Sequence, residues 1–517
     1  MVRRLIVIIL LLLIGGLVAT KLNSSGKDEV FTYVITETSI PTSLDPLDAD
    51  NTNNLAVARM IYSTPLEASE ENQLASQVLT SFKYDKSTRT MEWTVKENIQ
   101  FSDGTPITAD DIAFAVARMA YERPKFPVIQ SIKGVPPWAA AKKGVSSYPD
   151  GLKVSGSKIT IQFEEEVSHP MFRFCLEIFS IIPKKCVNPE TNKLSCEKIP
   201  SSGHYQIESS EKGHYSFTRR ESQPHEGFTA PQKIKFDYMT PEQFAQNKAS
   251  VLQKNVVVAG NEIQYATEDL KNIKDSAVVK FLPASRFGAL MFNSHAAAFK
   301  DRTCRLYFAN IFRQENAKVS NQEIEGSIFT KVLPGYETCF ELEKLNALSE
   351  SEKSKCRSHF ENTKIDWGYT KKEEASLFVS VLRKTFEQIG AKDSSPQIFE
   401  TRLDLANAYA AGTIGVMGSS SGFWALDPAG DIKMLFTPNM HKLLSPITED
   451  EKLQKLLGQV DESVEAYKAV NHYLFNEAKF NVYNHPRRFF ASKDRDTLTD
   501  FPFALTYPSP WQVFRVK

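Results

Sequence analysis

Gly418-Ser419-Ser420-Ser421-Gly422 satisfies Gly-x-Ser-x-Gly, the pattern in which a serine on a sharp strand-to-helix turn becomes an exposed nucleophile. The residues before it, Thr413-Ile414-Gly415-Val416-Met417, read as a strand, and His472 and His485 lie downstream as conceivable bases. A serine hydrolase using Ser420 is therefore one hypothesis. Against it, the sequel Phe423-Trp424-Ala425-Leu426-Asp427-Pro428-Ala429-Gly430 is punctuated by Pro and Gly and starts a helix poorly. Serines in a loop are the plainer reading. Metal chemistry finds less support: the chain has no Cys-x-x-Cys or His-Glu-x-x-His, and His204, His214 and His225 are too far apart to be ligands on one turn or hairpin. No metal or cofactor is expected.

The six cysteines depend on where the chain resides. Met1-Val2-Arg3-Arg4 precedes an apolar run of 15 residues, 5–19, shorter than the roughly 17–25 a membrane helix needs. This reads as a secretory signal and predicts export to the periplasm. Leu17 stands where cleavage wants a small residue, so an uncleaved anchor over residues 5–19 is the alternative. With Arg3 and Arg4 removed, 60 of the 62 basic residues face 62 acidic ones, and the mature chain is nearly neutral. In an oxidising compartment, spacing suggests two local pairs, Cys186 with Cys196 and Cys339 with Cys356. Cys175 and Cys304 sit among apolar neighbours and read as buried thiols.

The elements that position these residues follow from composition and periodicity. At 42% hydrophobic and 24% charged, with 34 Phe, 517 residues form a large folded protein of several units, which excludes disorder and a small disulfide scaffold. Equal numbers of basic and acidic residues argue against nucleic acid as a partner. Residues 31–35 and 91–95 read as strands. Asp103-Gly104 makes a turn, and Thr108 caps a helix over 109–118 with acids in its first turn. A helix is expected over 371–388, with the stripe Leu377, Val381, Phe386 and Ile389 and a stop at Gly390. Strand 397–399, helix 403–411 and strand 413–417 continue an alternation that implies sheets covered by helices. No fixed-period repeat suggests a solenoid.

Phe101-Ser102-Asp103-Gly104-Thr105-Pro106-Ile107-Thr108-Ala109-Asp110-Asp111 resembles the signature of the extracytoplasmic oligopeptide- and dipeptide-binding proteins of ABC importers, solute-binding protein family 5. Ser43-Leu44-Asp45-Pro46, Ile61-Tyr62-Ser63-Thr64-Pro65-Leu66, Ser201-Ser202-Gly203-His204-Tyr205, Leu290-Met291-Phe292-Asn293 and Gly422-Phe423-Trp424-Ala425-Leu426-Asp427-Pro428 match further segments in the family's order. The resemblance implies an α/β, two-lobed periplasmic-binding-protein fold of type II. Lobe I would comprise 28–62, 180–284 and 492–517, with an extra subdomain, 63–179, inserted in it. Lobe II would comprise 285–491, joined by hinge crossovers near residues 283–292 and 483–491.

What the resemblance implies about function is capture of a peptide, or a peptide-like solute, between the lobes of a monomer, and delivery to the permease subunits of an ABC transporter. Such a protein catalyses nothing. The ligand-binding candidates are Thr36, Thr38, Tyr62, Trp424 and Asp427. Trp424-x-x-Asp427 fits the pattern in which an acid takes a peptide's amino terminus and a Trp walls the cleft. The family usually writes Asp-Tyr-x-Asp-Pro there, whereas this chain has Asp427-Pro428 directly, so Asp427 is alternatively a turn cap before Asp431 and Trp424 a core residue. Arg383 and Arg402 are set aside as helix-surface residues. A membrane-tethered sensor or scavenger of the same fold is the remaining alternative.

Overall fold

The structure, a computed structural model, describes residues 29–515 except 37–39, 41–42, 49–54, 69–72, 142–143, 168, 212, 222–229, 266, 285, 320–326, 331–332, 334, 338–346, 375, 423–427, 437–444, 461–462 and 500–509. The signal expected over residues 1–19 lies outside them. No helix among the described residues is long and apolar enough to cross a membrane.

The chain begins with β1 (Val30–Thr36) and helix α1 (Leu55–Ile61). It then builds β2 (Leu79–Asp85), β3 (Thr90–Val95), α2 (Ala109–Glu122), β4 (Leu152–Ser155), β5 (Lys158–Gln162) and the one-turn α3 (Pro170–Arg173). These strands form an antiparallel sheet of order β2-β3-β5-β4. Met91, Trp93 and Val95 alternate inward from β3 onto Ile112 and Val116 of α2 and onto Phe174.

The chain next makes β6 (Tyr205–Glu211), β7 (His214–Arg219), β8 (Lys233–Met239), β9 (Val256–Asn261) and β10 (Val278–Phe281). It crosses to β11 (Arg286–Phe292), α4 (Arg302–Val319), α5 (Glu350–Glu361), β12 (Ile365–Thr370), α6 (Leu377–Gln388), β13 (Ser394–Phe399), α7 (Arg402–Ala410), β14 (Val416–Gly422), α8 (Pro428–Leu435), α9 (Val464–Glu477) and β15 (Phe480–Asn484). It returns in β16 (Arg488–Ser492).

The seven-stranded sheet has the order β10-β16-β9-β1-β8-β7-β6, and the five-stranded sheet β13-β12-β14-β11-β15. Both are mixed, with a parallel centre buried on two faces. Tyr33 and Ile35 of β1 enter one core and Val34 the opposite one, while Ala289 and Met291 of β11 likewise part from Leu290 and Phe292.

The signature segment organises the small sheet's border. Thr108 and Asp111 make a capping box on α2, and Asp103 Oδ1 accepts from Thr105 N at 3.0 Å around Gly104, whose φ is +82°. The acids then grip the chain at Lys184 and Lys185: Lys185 Nζ meets Asp103 at 2.7 Å, and Lys184 Nζ meets Asp110 at 2.8 Å. Partial burial pushes the Asp103 carboxyl up, but Lys185 and Thr105 outweigh it and bring it down to about 2. The motif therefore works as a brace.

Three expectations are corrected. Helix α6 starts at Leu377 rather than 371, because Thr370 N and Oγ1 bond Glu373 to close a separate turn and Ser376 caps the helix proper. The strand expected over 413–417 is β14 at 416–422: Thr413 N bonds back to Ala408 O, and the seven-residue register with β11 draws the Gly-Ser run into the ladder. Cys356 pairs with Cys304 instead of Cys339, because packing of α4 on α5 brings their Cα atoms to 5.0 Å. Cys339 lies outside the described residues. Cys186 and Cys196 are joined, and Cys175 is free.

Non-reducing peptide mapping is expected to yield a Cys304–Cys356 linked fragment; a Cys339–Cys356 link would refute the α4–α5 staple. Cys304→Ser with Cys356→Ser should lower unfolding free energy by about 2–4 kcal/mol.

Candidate functional site

The parallel strands β1, β8 and β9 end together at Thr36, Met239 and Asn261. At that edge Arg488, the first residue of β16, pairs with Asn261, and Phe281, the last of β10, faces Phe489. In the five-stranded sheet, Arg286 at the start of β11 pairs with Gly422 at the end of β14, and Asn484 at the end of β15 pairs with Gly288. Both crossings therefore join the carboxyl edge of one parallel set to the carboxyl edge of the other. Open α/β sheets bind ligands at this edge.

The second crossing is fastened on each side. His485 Nε2 lies 2.8 Å from Ser327 O, and Glu262 accepts from Arg487 N at 2.9 Å and from its guanidinium at 3.1 Å. The same guanidinium stacks 4.4 Å above the Phe281 ring of the first crossing.

Between these edges β14 offers one backbone edge that described strands pair only at Val416. Its whole length pairs with β11, but among the described residues β12 meets it only at Trp367 and Val416. From Met417 to Gly422 the other edge is unpaired by any described strand, and Ser419 to Gly422 are partly or fully exposed. Arg402 closes the near end: Nη1 pairs with Glu373 at 2.8 Å and Nη2 donates to Gly418 O at 2.7 Å. A side chain at 418 would collide with the Phe378 ring, its Cβ falling 2.4 Å from Cζ, so glycine lets helix and strand approach. This edge suits the main chain of an extended peptide. Sequence reading missed it because small polar residues resemble a loop; the signal available was the matching length of the Leu290-Met291-Phe292 strand opposite.

Of the proposed binding residues, Thr36 is 1% exposed and its hydroxyl donates to Ala259 O at 3.0 Å, so its side chain anchors the end of β1. Tyr62 is 5% exposed and packs in the large-sheet core; its hydroxyl has no hydrogen-bond partner among the described residues, and burial pushes its ionisation upward. Thr38, Trp424 and Asp427 lie outside the described residues. Ser420 sits inside β14 opposite Gly288, with no strand-to-helix turn at the serine. His472 is bound to Glu337 at 2.8 Å, and His485 is committed to Ser327. The elbow that a serine hydrolase needs is thus missing at Ser420. Among the described residues no group of three acids, histidines or cysteines is arranged to hold a metal ion.

Two matched motifs prove to be neighbours. Gly203 N donates to Ile61 O at 2.8 Å, Ser63 N to Ser202 Oγ at 3.0 Å, and a Cβ on Gly203 would fall 2.8 Å from Tyr62 N. Beside them Gln77 links His204 to Glu67, whose carboxylate accepts from Gln77 Nε2 at 2.9 Å. Burial raises the Glu67 carboxyl to about 7, against the smaller opposing effects of Gln77 and Lys96.

Two helix-covered sheets joined by two crossings, with the carboxyl ends of parallel strands at the crossings, make a two-lobed α/β architecture. The chain superposes on the murein tripeptide binding protein MppA of Escherichia coli with a TM-score of 0.72 over 95% of this chain and 98% of that one, at 17% identity. The Haemophilus influenzae OppA complex with RPPGFSPFR gives 0.72 at 13% identity, covering 95% of this chain and 100% of that one. Residues 73–309 match the model of the bacterial extracellular solute-binding proteins, family 5 Middle. A putative binding protein of Brucella melitensis is 25% identical over 279 residues, 50% of this chain; the match spans 42% of that relative's length.

Glu67 gives a pH signature. Its folded-state value lies above its unfolded one near 4.5, so its stabilisation is complete below about 4.5 and is lost as pH rises through about 7. Glu67→Gln should be more stable than wild type by about 1–2 kcal/mol near pH 8 and indistinguishable below pH ~4.5. Denaturant melts across that range provide the check, and a pH-independent difference would refute the assignment.

Proposed function

We propose that this protein is an extracytoplasmic solute-binding protein that captures peptides, or a peptide-like solute, between its lobes and delivers them to an ABC permease. The observation that carries the reading is the unpaired edge of β14 at the junction of the two crossings. Main-chain donors and acceptors there recognise any extended peptide, leaving side-chain preference to the surrounding walls. Closure around the solute follows population shift: a ligand that contacts both lobes binds the closed state better and enriches it. MppA and OppA, named for murein tripeptide and crystallised with a nonapeptide respectively, support the class of solute.

Asp427 is assigned to the peptide's amino terminus and Trp424 to the cleft wall. A carboxylate and an ammonium meeting out of water attract strongly, but each must first lose its hydration, so the pair discriminates against blocked termini. Export by cleavage near Thr20 completes the reading; amino-terminal sequencing of the mature protein distinguishes it from a chain tethered by residues 5–19.

Native mass spectrometry of the purified protein should reveal bound peptide, and calorimetry with a pool of defined tri- to pentapeptides should give saturable binding. Asp427→Asn is expected to weaken binding about tenfold, or about 1.4 kcal/mol, for free-amine peptides, and to leave N-acetylated peptides unaffected. Equal losses for both peptide types would remove the amine-pairing role. Turnover of the peptides would overturn the reading itself.

A further inference from the structure

Arg173 on α3 and Asp431 on α8 are separated by 258 residues, yet Arg173 Nη1 pairs with Asp431 Oδ1. They are 5% and 3% exposed. Arg173 belongs to the unit built on the small sheet, where the adjacent Phe174 packs edge-on against Trp93. Asp431 belongs to the second lobe, whose core takes Ile432 and Leu435 from the same helix and Phe436 just after it. Met434, one turn beyond Asp431, packs instead on the small-sheet core. Helix α8 thus has two apolar allegiances, and its Asp431/Met434 face meets the opposite lobe.

We propose that Arg173 and Asp431 form a closure latch, a positioning pair that holds α8 against the inserted subdomain when the lobes are shut. Asp431 follows Asp427 by four positions in the chain, so the latch bears in sequence on the segment assigned to the solute. It rests on the binding reading for that consequence alone; the latch itself requires no solute. Separation of the lobes hydrates both charges. Closure removes them from water, and only a correctly paired partner offsets that cost. Loss of either residue takes away the opposite charge that the other meets at each closing, whereas replacement of both by apolar side chains removes the charges that closing must desolvate. The pair therefore sets how readily the empty protein closes and, through closure, how tightly it binds.

The test uses the full chain without added solute. Small-angle scattering should show a larger radius of gyration for Arg173→Met and for Asp431→Asn than for wild type, and wild-type compactness for Arg173→Met with Asp431→Leu. Affinity for the peptide pool should fall about tenfold or more in the single variants and recover to within about threefold in the double variant. Arg173→Asp with Asp431→Arg supplies a second rescue should an apolar variant fold poorly. Wild-type scattering in both single variants, whatever their melting temperatures, would show a static brace and overturn the latch. Failure of the wild type to bind any peptide would sink the peptide reading while the scattering comparison still decides the latch.

Discussion

Strands that run parallel end together, and that constraint governs the molecule. In each larger sheet the central parallel strands stop at one edge, where amides and carbonyls beyond the last rung need partners. Among the described residues the chain passes between the two larger sheets at these edges, from Phe281 to Arg286 and from Asn484 to Arg488. The two edges are thereby turned toward one another across short connections. Every other site-related feature, from the open side of β14 to the anchored end of β1, follows from that arrangement.

Buried charge is the second organising cost, and it falls at seams. Arg118 pairs with Asp45 at 2.6 Å and donates to Asn192, tying the loop after β1 to α2. Glu262 takes three donors of Arg487 where the chain returns to the large sheet. Arg173 and Asp431 join α3 to α8. A carboxylate inside protein is tolerated only where a cation and further hydrogen bonds meet it, so each pair admits few relative placements of the pieces it joins. Apolar cores supply most of the burial energy but accept many registers. The ion pairs narrow the choice.

The alternation of helix and strand, the capped helix at Thr108 and the Asp103-Gly104 turn were legible because their causes are local: side-chain periodicity, a hydroxyl cap, a residue that tolerates positive φ. The family resemblance was carried by the same local motifs, whose acids prove to grip Lys184 and Lys185. What sequence could not show was pairing at a distance. Cys356 found Cys304 through helix packing rather than spacing, and Thr36 proved to spend its hydroxyl on a neighbouring strand 223 residues away. The site was legible only as far as the segments that border it, since the Gly-Ser strand takes its conformation from β11 and not from its own propensity.

That strand also explains why one run of residues suggests both an enzyme and a binding edge. Gly-x-Ser-x-Gly supports catalysis when the chain turns sharply at the serine and lifts its hydroxyl above the sheet. Here seven successive pairings with β11 keep the run extended, so Ser420 alternates with its neighbours across the two faces and no turn presents it. The small residues that would have eased a tight elbow instead let Phe378 pack directly on Gly418, and beyond Val416 no described strand pairs with that edge. Extended backbone with one free edge holds another extended backbone by repeated, sequence-tolerant hydrogen bonds. The composition that weakens the strand's own propensity thus also goes with an edge that described strands pair only at Val416.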